Sequence, residues 1–174
     1  DRQVIATPEP KFFGGWTNTF TYKNLSLSFL MQFSCGGEAV YSNLGEEISG
    51  VLGQSVGREL YGNTWTPERT DAKYARLVAG TMSYNYMAND RFVFDTSYLR
   101  MKNITLSYSL PKAWINKLYL SNASLFVTAT NLFTITQWPG LDPETVATGI
   151  TSMGTNNDPY PLSRSFSLGV KLQF

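Results

Sequence analysis

The residues that decide the fold read LSLSFLMQFSC, from Leu25 to Cys35. Every odd position in this stretch is apolar, and all the even positions except Leu30 are polar. Because successive side chains of a β-strand point to opposite faces, this period of two predicts a strand with one apolar and one polar face. Cys35 fits the apolar row as a small hydrophobic residue and needs no other role.

The same alternation recurs in four further segments. In the segment before Leu25, the apolar row is Phe12, Trp16, Phe20 and Tyr22, and the short Lys23-Asn24 connection predicts a tight hairpin. The three later segments cover residues 98–110, about 118–136 and 165–174, with Pro111 ending the first of them. The sequence therefore predicts an all-β chain of about five antiparallel strands.

The strand lengths and connections are those of an outer-membrane barrel. Each strand is near or above the roughly 9–11 residues that span a bilayer when tilted. Residues 23–24 and 111–117 are short turns, whereas 36–96 and 138–163 are long loops, which is the asymmetry of such barrels. Residues 38–52 of the first loop have a mixed pattern that predicts a helix ending near Gly53. Aromatic residues lie near strand ends, as in interfacial girdles: Trp16, Tyr22, Tyr108, Trp114, Tyr119, Phe133 and Trp138.

Composition excludes several classes of function. The chain has 14 Lys and Arg against 13 Asp and Glu, which argues against nucleic-acid binding. It has no histidine and one cysteine, so triad catalysis within this chain is excluded and a zinc site is not expected. We predict no enzyme activity, no cofactor and no metal, although oxygen ligands for calcium are present among Asp142, Glu144, Asn156, Asn157 and Asp158.

The chain also lacks two targeting features. No stretch approaches the roughly 20 apolar residues of a transmembrane helix. Residues 1–5 contain no apolar signal-peptide region. With strands of this kind, we expect that an amino-terminal part is missing.

The last eight residues, SLGVKLQF, resemble the signal by which the bacterial barrel assembly machinery recognises a final strand. Ser167 supplies the polar position, Gly169 the glycine, Leu172 the apolar position and Phe174 the terminal aromatic residue. Such a strand pairs with an accepting edge by β-augmentation. The alternative is an ordinary edge strand.

Several motifs together resemble the SusC/RagA-like TonB-linked outer-membrane proteins. They follow one another in the order of that family over nearly the whole chain. The motifs are the hairpin of residues 10–36, Leu-Arg-x-Lys-Asn at 99–103, Tyr-x-Leu-Pro at 108–111, Asn-Leu-Phe at 131–133, Asp-Pro-Glu at 142–144, and Tyr-Pro-Leu-Ser-Arg at 160–164.

The resemblance implies that residues 1–174 are the carboxy-terminal segment of a transmembrane antiparallel β-barrel of roughly 22 strands with a plugged lumen. The plug domain and the earlier strands are absent, and five strands cannot close a barrel in lipid. Implied partners are the rest of the barrel and plug, outer-membrane lipid, the barrel assembly machinery, TonB, and a SusD-like surface lipoprotein acting as a lid. The implied function is active import of oligosaccharides or peptides across the bacterial outer membrane.

Aromatic residues in the long loops are candidates to contact cargo or lid, because they combine area with a polar tip. They include Trp65, Tyr84, Tyr86, Trp138 and Tyr160. The alternative is that these loops pack on each other.

Two other interpretations stay open. The chain could belong to a non-transporting outer-membrane barrel or adhesin. It could also be a soluble carbohydrate-binding β-sandwich, since sandwich strands alternate in the same way. Glycan and peptide cargo are not distinguished by these residues.

Overall fold

The computed structural model describes residues 3–41, 58–76, 90–116, 119–146 and 160–174. The chain divides into two compact units. The sheet unit comprises residues 10–35, 97–136 and 161–174, and the loop unit comprises 1–9, 36–96 and 137–160.

The described residues form eight strands, one α-helical turn and three 3₁₀ turns. In chain order the strands and the α-helical turn are β1 Phe12–Tyr22, β2 Leu25–Cys35, β3 Glu38–Val40, β4 Val93–Asp95, β5 Tyr98–Ser109, α1 Lys112–Ile115, β6 Asn122–Thr130, β7 Thr134–Thr136 and β8 Ser165–Gln173. Six of them make one antiparallel sheet in the order β1-β2-β5-β6-β8, with β7 also paired to β5. The predicted all-β antiparallel class is confirmed.

The β1–β2 hairpin has the predicted tight turn. Pairing runs without interruption from Phe12 opposite Cys35 to Tyr22 opposite Leu25, which leaves only Lys23 and Asn24 in the loop. Lys23 has a φ of 53°, in the left-handed region that tight turns use. The turn fixes the register, so the apolar rows of both strands share one face.

A β-bulge in β5 interrupts its alternation. Leu30 of β2 pairs with Asn103, but Met31 pairs with Met101, so Lys102 is an extra residue. The apolar row of β5 therefore changes from odd to even numbers, from Leu99 and Met101 to Ile104. This bulge lies within the Leu-Arg-x-Lys-Asn motif.

The predicted strand over residues 118–136 is wrong in its middle and at its start. β6 begins at Asn122 and ends at Thr130, β7 begins at Thr134, and Asn131 between them has a φ of 48°. Asn is one of the few residues that tolerate this conformation. Both pieces still pair with β5, so the break is a second bulge, opposite the first.

The loop unit has its own small core. Leu60, Tyr74 and Phe92 are buried together, and 3₁₀ turns at Arg58–Leu60 and Asp90–Phe92 carry two of them. β3 pairs with β4, so the helix predicted for residues 38–52 is wrong at Glu38–Val40. Residues 42–52 of that prediction lie outside the described residues. Within the described ranges, no helix is long and apolar enough to cross a membrane.

Candidate functional site

The sheet unit presents one face of apolar side chains to its surroundings. On β8 and β6 this row pairs Phe166 with Ala129, Leu168 with Val127, Val170 with Leu125 and Leu172 with Ala123. Leu168 is 79% exposed and Phe166 is 67% exposed. Soluble proteins bury large apolar residues and rarely leave a contiguous patch of them in water. This face is therefore suited to an apolar environment.

Aromatic rings extend the apolar face over β1 and β2. Trp16 packs edge-to-face on Phe29 with ring centroids 5.5 Å apart, and Phe20 lies 6.2 Å from the same ring. Such edge-to-face pairs add to the stability of a strand pair. Trp16 and Phe20 remain more than half exposed, at 55% and 57%. The face is thus ordered within the sheet although its outer side is open.

The opposite face is a band of hydrogen-bonding side chains. Its cross-strand hydrogen bonds join Thr19 to Ser28 (3.2 Å), Thr105 to Thr128 (2.9 Å), Gln32 to the Tyr98 hydroxyl (3.1 Å), Arg100 Nε to Thr134 Oγ1 (2.8 Å), and Thr130 to Ser165. A band of this kind can line a water-filled interior and bind a polar ligand. The two faces together are those of a barrel wall.

β8 carries the residues of the predicted assembly signal and lies at one edge of the sheet. Ser167 and Gly169 occupy the polar row, opposite Thr128 and Phe126 of β6. Leu172 occupies the apolar row, and Phe174 follows the strand with 91% of its surface exposed. Among the described strands β8 pairs only with β6. Its other edge has backbone groups free to pair with a further strand, which is what the signal requires.

The packing of β6 against β8 gives a steric reason for a glycine at position 169, and the sequence alone did not indicate it. A Cβ added at Gly169 would lie 2.3 Å from Cζ of Phe126, because the Phe126 ring covers the glycine. Phe126 is the one apolar residue in an otherwise polar row of β6, between Ser124 and Thr128. That break in the alternation is the signal that could have identified it.

The candidate contact residues of the loops have different surroundings. Tyr160 is 88% exposed and Trp65 is 36% exposed, so both offer ring surface. Trp138 is only 5% exposed, and its ring packs edge-to-face on Tyr41 at 5.6 Å and Phe94 at 6.3 Å. The packing alternative therefore accounts for Trp138. Tyr84 and Tyr86 lie outside the described residues.

The Asp-Pro-Glu motif has a structural role in the loop unit. The buried Asp142 carboxylate accepts a hydrogen bond from the Glu144 backbone N–H (3.0 Å) and caps the 3₁₀ turn Pro143–Thr145. Within the described residues, no group of three or more His, Cys, Asp or Glu could hold a metal ion. Asn156, Asn157 and Asp158, the other calcium candidates, are outside them.

No family model matches the chain. Over its whole length, the chain is 32% identical to TonB-dependent receptor P3 of Formosa agariphila and 30% identical to TonB-dependent receptor SusC of Bacteroides thetaiotaomicron. It spans only 17% and 16% of these two proteins. Its fold matches a chain of the RagAB peptide importer in the closed-closed state, with a TM-score of 0.78, 22% identity, and coverage of 99% of this chain and 18% of that one. The open-open state matches with a TM-score of 0.74. The chain is therefore a homologue of the SusC-type TonB-dependent receptors, with the fold of a segment of their barrel.

Proposed function

We propose that this chain is the carboxy-terminal part of the barrel wall of a TonB-dependent outer-membrane importer. The observation that carries the proposal is the exposed apolar face of the sheet, backed by a mostly polar face and bounded by β1 and β8, each of which pairs with only one other described strand. Lipid covers an apolar face of this kind, and further strands of a closed barrel satisfy such edges. A soluble sandwich would instead need a second sheet over these side chains.

The rest of the polypeptide supplies what one segment cannot. The chain spans less than a fifth of the length of its relatives. In the proposed receptor, a plug and a TonB-contacting segment belong to the rest of the polypeptide. The polar band, with Gln32, Tyr98 and Arg100 near the loop end of β5, lines the path of the cargo. Passage through such a wall needs binding and release but no covalent chemistry, so the proposed function requires no enzyme activity.

The loop unit is the part that meets cargo and a SusD-like lipoprotein lid. Tyr160 and Trp65 have the exposed rings for stacking on a sugar or packing on a protein surface. Oligosaccharide and peptide are both compatible with these residues. Because the fold is similar to that of a chain of the RagAB peptide importer, peptides are tested as cargo beside glycans.

The test uses the complete receptor, expressed with its lipoprotein partner in a host that lacks its own copy. Labelled oligosaccharides and peptides are supplied to cells, and uptake is compared with that of a receptor lacking its TonB-contacting segment. We expect uptake of one cargo class by the complete receptor, and surface binding without uptake by the truncated one. Folded barrel in the outer membrane without uptake of either class would support the adhesin alternative. Recovery of the protein without detergent would support the sandwich.

A further inference from the structure

The charges of this chain are segregated between its two units. The sheet unit contains no Asp or Glu, but eight basic residues: Lys11, Lys23, Arg100, Lys102, Lys112, Lys117, Arg164 and Lys171. The loop unit contains all 13 acidic residues and the other six basic ones. The net charge of +1 for the whole chain conceals this division. A sheet with only positive charge attracts anionic partners.

Four of the eight basic residues lie just outside a strand, whereas Arg100, Lys102 and Lys171 lie within β5 and β8. Lys11 and Lys23 flank β1, Arg164 precedes β8, and Lys112 follows β5. β1, β2 and β6 contain no charged residue at all. A charge at the centre of a bilayer is costly, whereas a Lys or Arg at the interface keeps its charge among the headgroups. The four residues outside the strands therefore match the two interfaces of a membrane.

At the turn end of the sheet, two of these lysines line one open cavity of about 770 Å³. The Asn24 side chain donates to the Ser109 carbonyl (2.8 Å), which ties the β1–β2 turn to the end of β5. That contact brings Lys23 and Lys112 to the same cavity, together with the neutral side chains of Ser121 and Gln173. None of the residues that line the cavity is acidic, so it favours an anion.

Aromatic residues identify the environment of this end. Tyr22 is 72% exposed and carries the Lys23 ammonium 5.3 Å from its ring centroid. Trp114 of α1 is 62% exposed and Tyr119 is 94% exposed. Tyr and Trp with open rings gather at the level of lipid headgroups, where one end of the side chain is apolar and the other wet. An acidic protein segment would not need them.

We infer that the turn end of the sheet binds the phosphate of an anionic phospholipid headgroup through Lys23 and Lys112, with Tyr22 and Trp114 at the same interface. This inference rests on the proposed function, since it requires the sheet to lie in a bilayer. Each basic residue near an anionic surface contributes about fivefold in binding, so both together contribute roughly thirtyfold.

The experiment places the complete receptor in nanodiscs of phosphatidylcholine with added phosphatidylglycerol and measures, by native mass spectrometry, how much phosphatidylglycerol each receptor retains. The test variant is Lys23→Gln/Lys112→Gln. The matched control is Lys11→Gln/Arg164→Gln, which removes the same charge at the other ends of the strands. We expect the preference for phosphatidylglycerol over phosphatidylcholine to fall roughly thirtyfold in the test variant. The control should keep the preference of the wild type.

Three results would overturn the inference. Equal retention by the test variant and wild type would show that these lysines bind no headgroup. Lost retention together with a lower unfolding temperature in neutral detergent, without any anionic lipid, would assign the two lysines to contacts within the protein, such as that of Lys23 with the Tyr22 ring. A wild-type receptor that enters no bilayer would refute the proposed function itself, which distinguishes that failure from the first two.

Discussion

Replacing Gly169 by alanine tests whether the glycine of the assembly signal is there for packing. The added Cβ would meet three ring carbons of Phe126 at 2.3, 2.7 and 2.9 Å, so the ring must swing away. Such overpacking costs about 1–3 kcal/mol. Loss of glycine flexibility in the strand returns about 0.5–1 kcal/mol. We expect a net destabilisation of up to about 2.5 kcal/mol.

The partner substitution reverses the expected sign. With Phe126→Ala, the space above residue 169 is empty, so Gly169→Ala should then be neutral or stabilising by up to about 1 kcal/mol. Gly15→Ala is the matched control, because its added Cβ would meet nothing closer than 3.5 Å. It should be neutral or stabilising by up to about 1 kcal/mol.

The assay is urea unfolding of the complete receptor refolded in lipid vesicles, where no assembly machinery is present. Folded barrel is distinguished from unfolded chain by its faster migration in unheated gel samples. If Gly169→Ala destabilises the Phe126→Ala variant as much as the wild type, steric packing is not the reason for the glycine. If refolding is normal in vitro and only assembly in cells falls, the glycine serves recognition.

Three further substitutions address the other parts of the molecule. Leu168→Arg, at the middle of the apolar row of β8, should destabilise the barrel by about 2–4 kcal/mol in vesicles, whereas Ser167→Arg on the polar face should be tolerated. Equal effects in the same urea assay would argue against lipid contact. Phe174→Asp should lower the amount of folded receptor in the outer membrane, measured by gel mobility of membrane fractions, and an unchanged amount would contradict a role in assembly. Asn131→Ala should lower the free energy of unfolding in urea by about 1–2 kcal/mol, because the φ of 48° at this position disfavours alanine. Asn131→Gly should lower it less, mainly through loss of the hydrogen bond from the Asn131 side chain to the Ser163 carbonyl (3.0 Å). Equal losses would show that the backbone conformation is not decisive.

Local patterns predicted the strands well because alternation is a property of neighbouring residues. β1, β2 and β8 match their predicted segments, and the Lys23-Asn24 turn follows directly from the short gap between two alternating stretches. The predicted helix from Glu38 failed at its start for the opposite reason. Glu38–Val40 pairs with Val93–Asp95, more than fifty residues away along the chain, and no local pattern contains that partner.

The candidate assembly signal was inferred from a resemblance, whereas its contacts depend on the fold. Ser167, Gly169, Leu172 and Phe174 were identified because the last eight residues resemble a final-strand signal, and their role in assembly stays a prediction. The role of Phe126 depends on the register that places it opposite Gly169. Register is a relation between strands, set by bulges and turns, so it cannot be read from either strand by itself.

The sequence by itself determined that this chain makes long antiparallel strands with one apolar and one polar face, because side-chain alternation is fixed by the geometry of the extended backbone. Only the tertiary structure decided which rows meet, that Trp138 is packed against Tyr41 and Phe94, and that every acidic residue falls outside the sheet unit. The physical reason is that these properties depend on pairing between distant segments, whose energy arises only when the chain has folded.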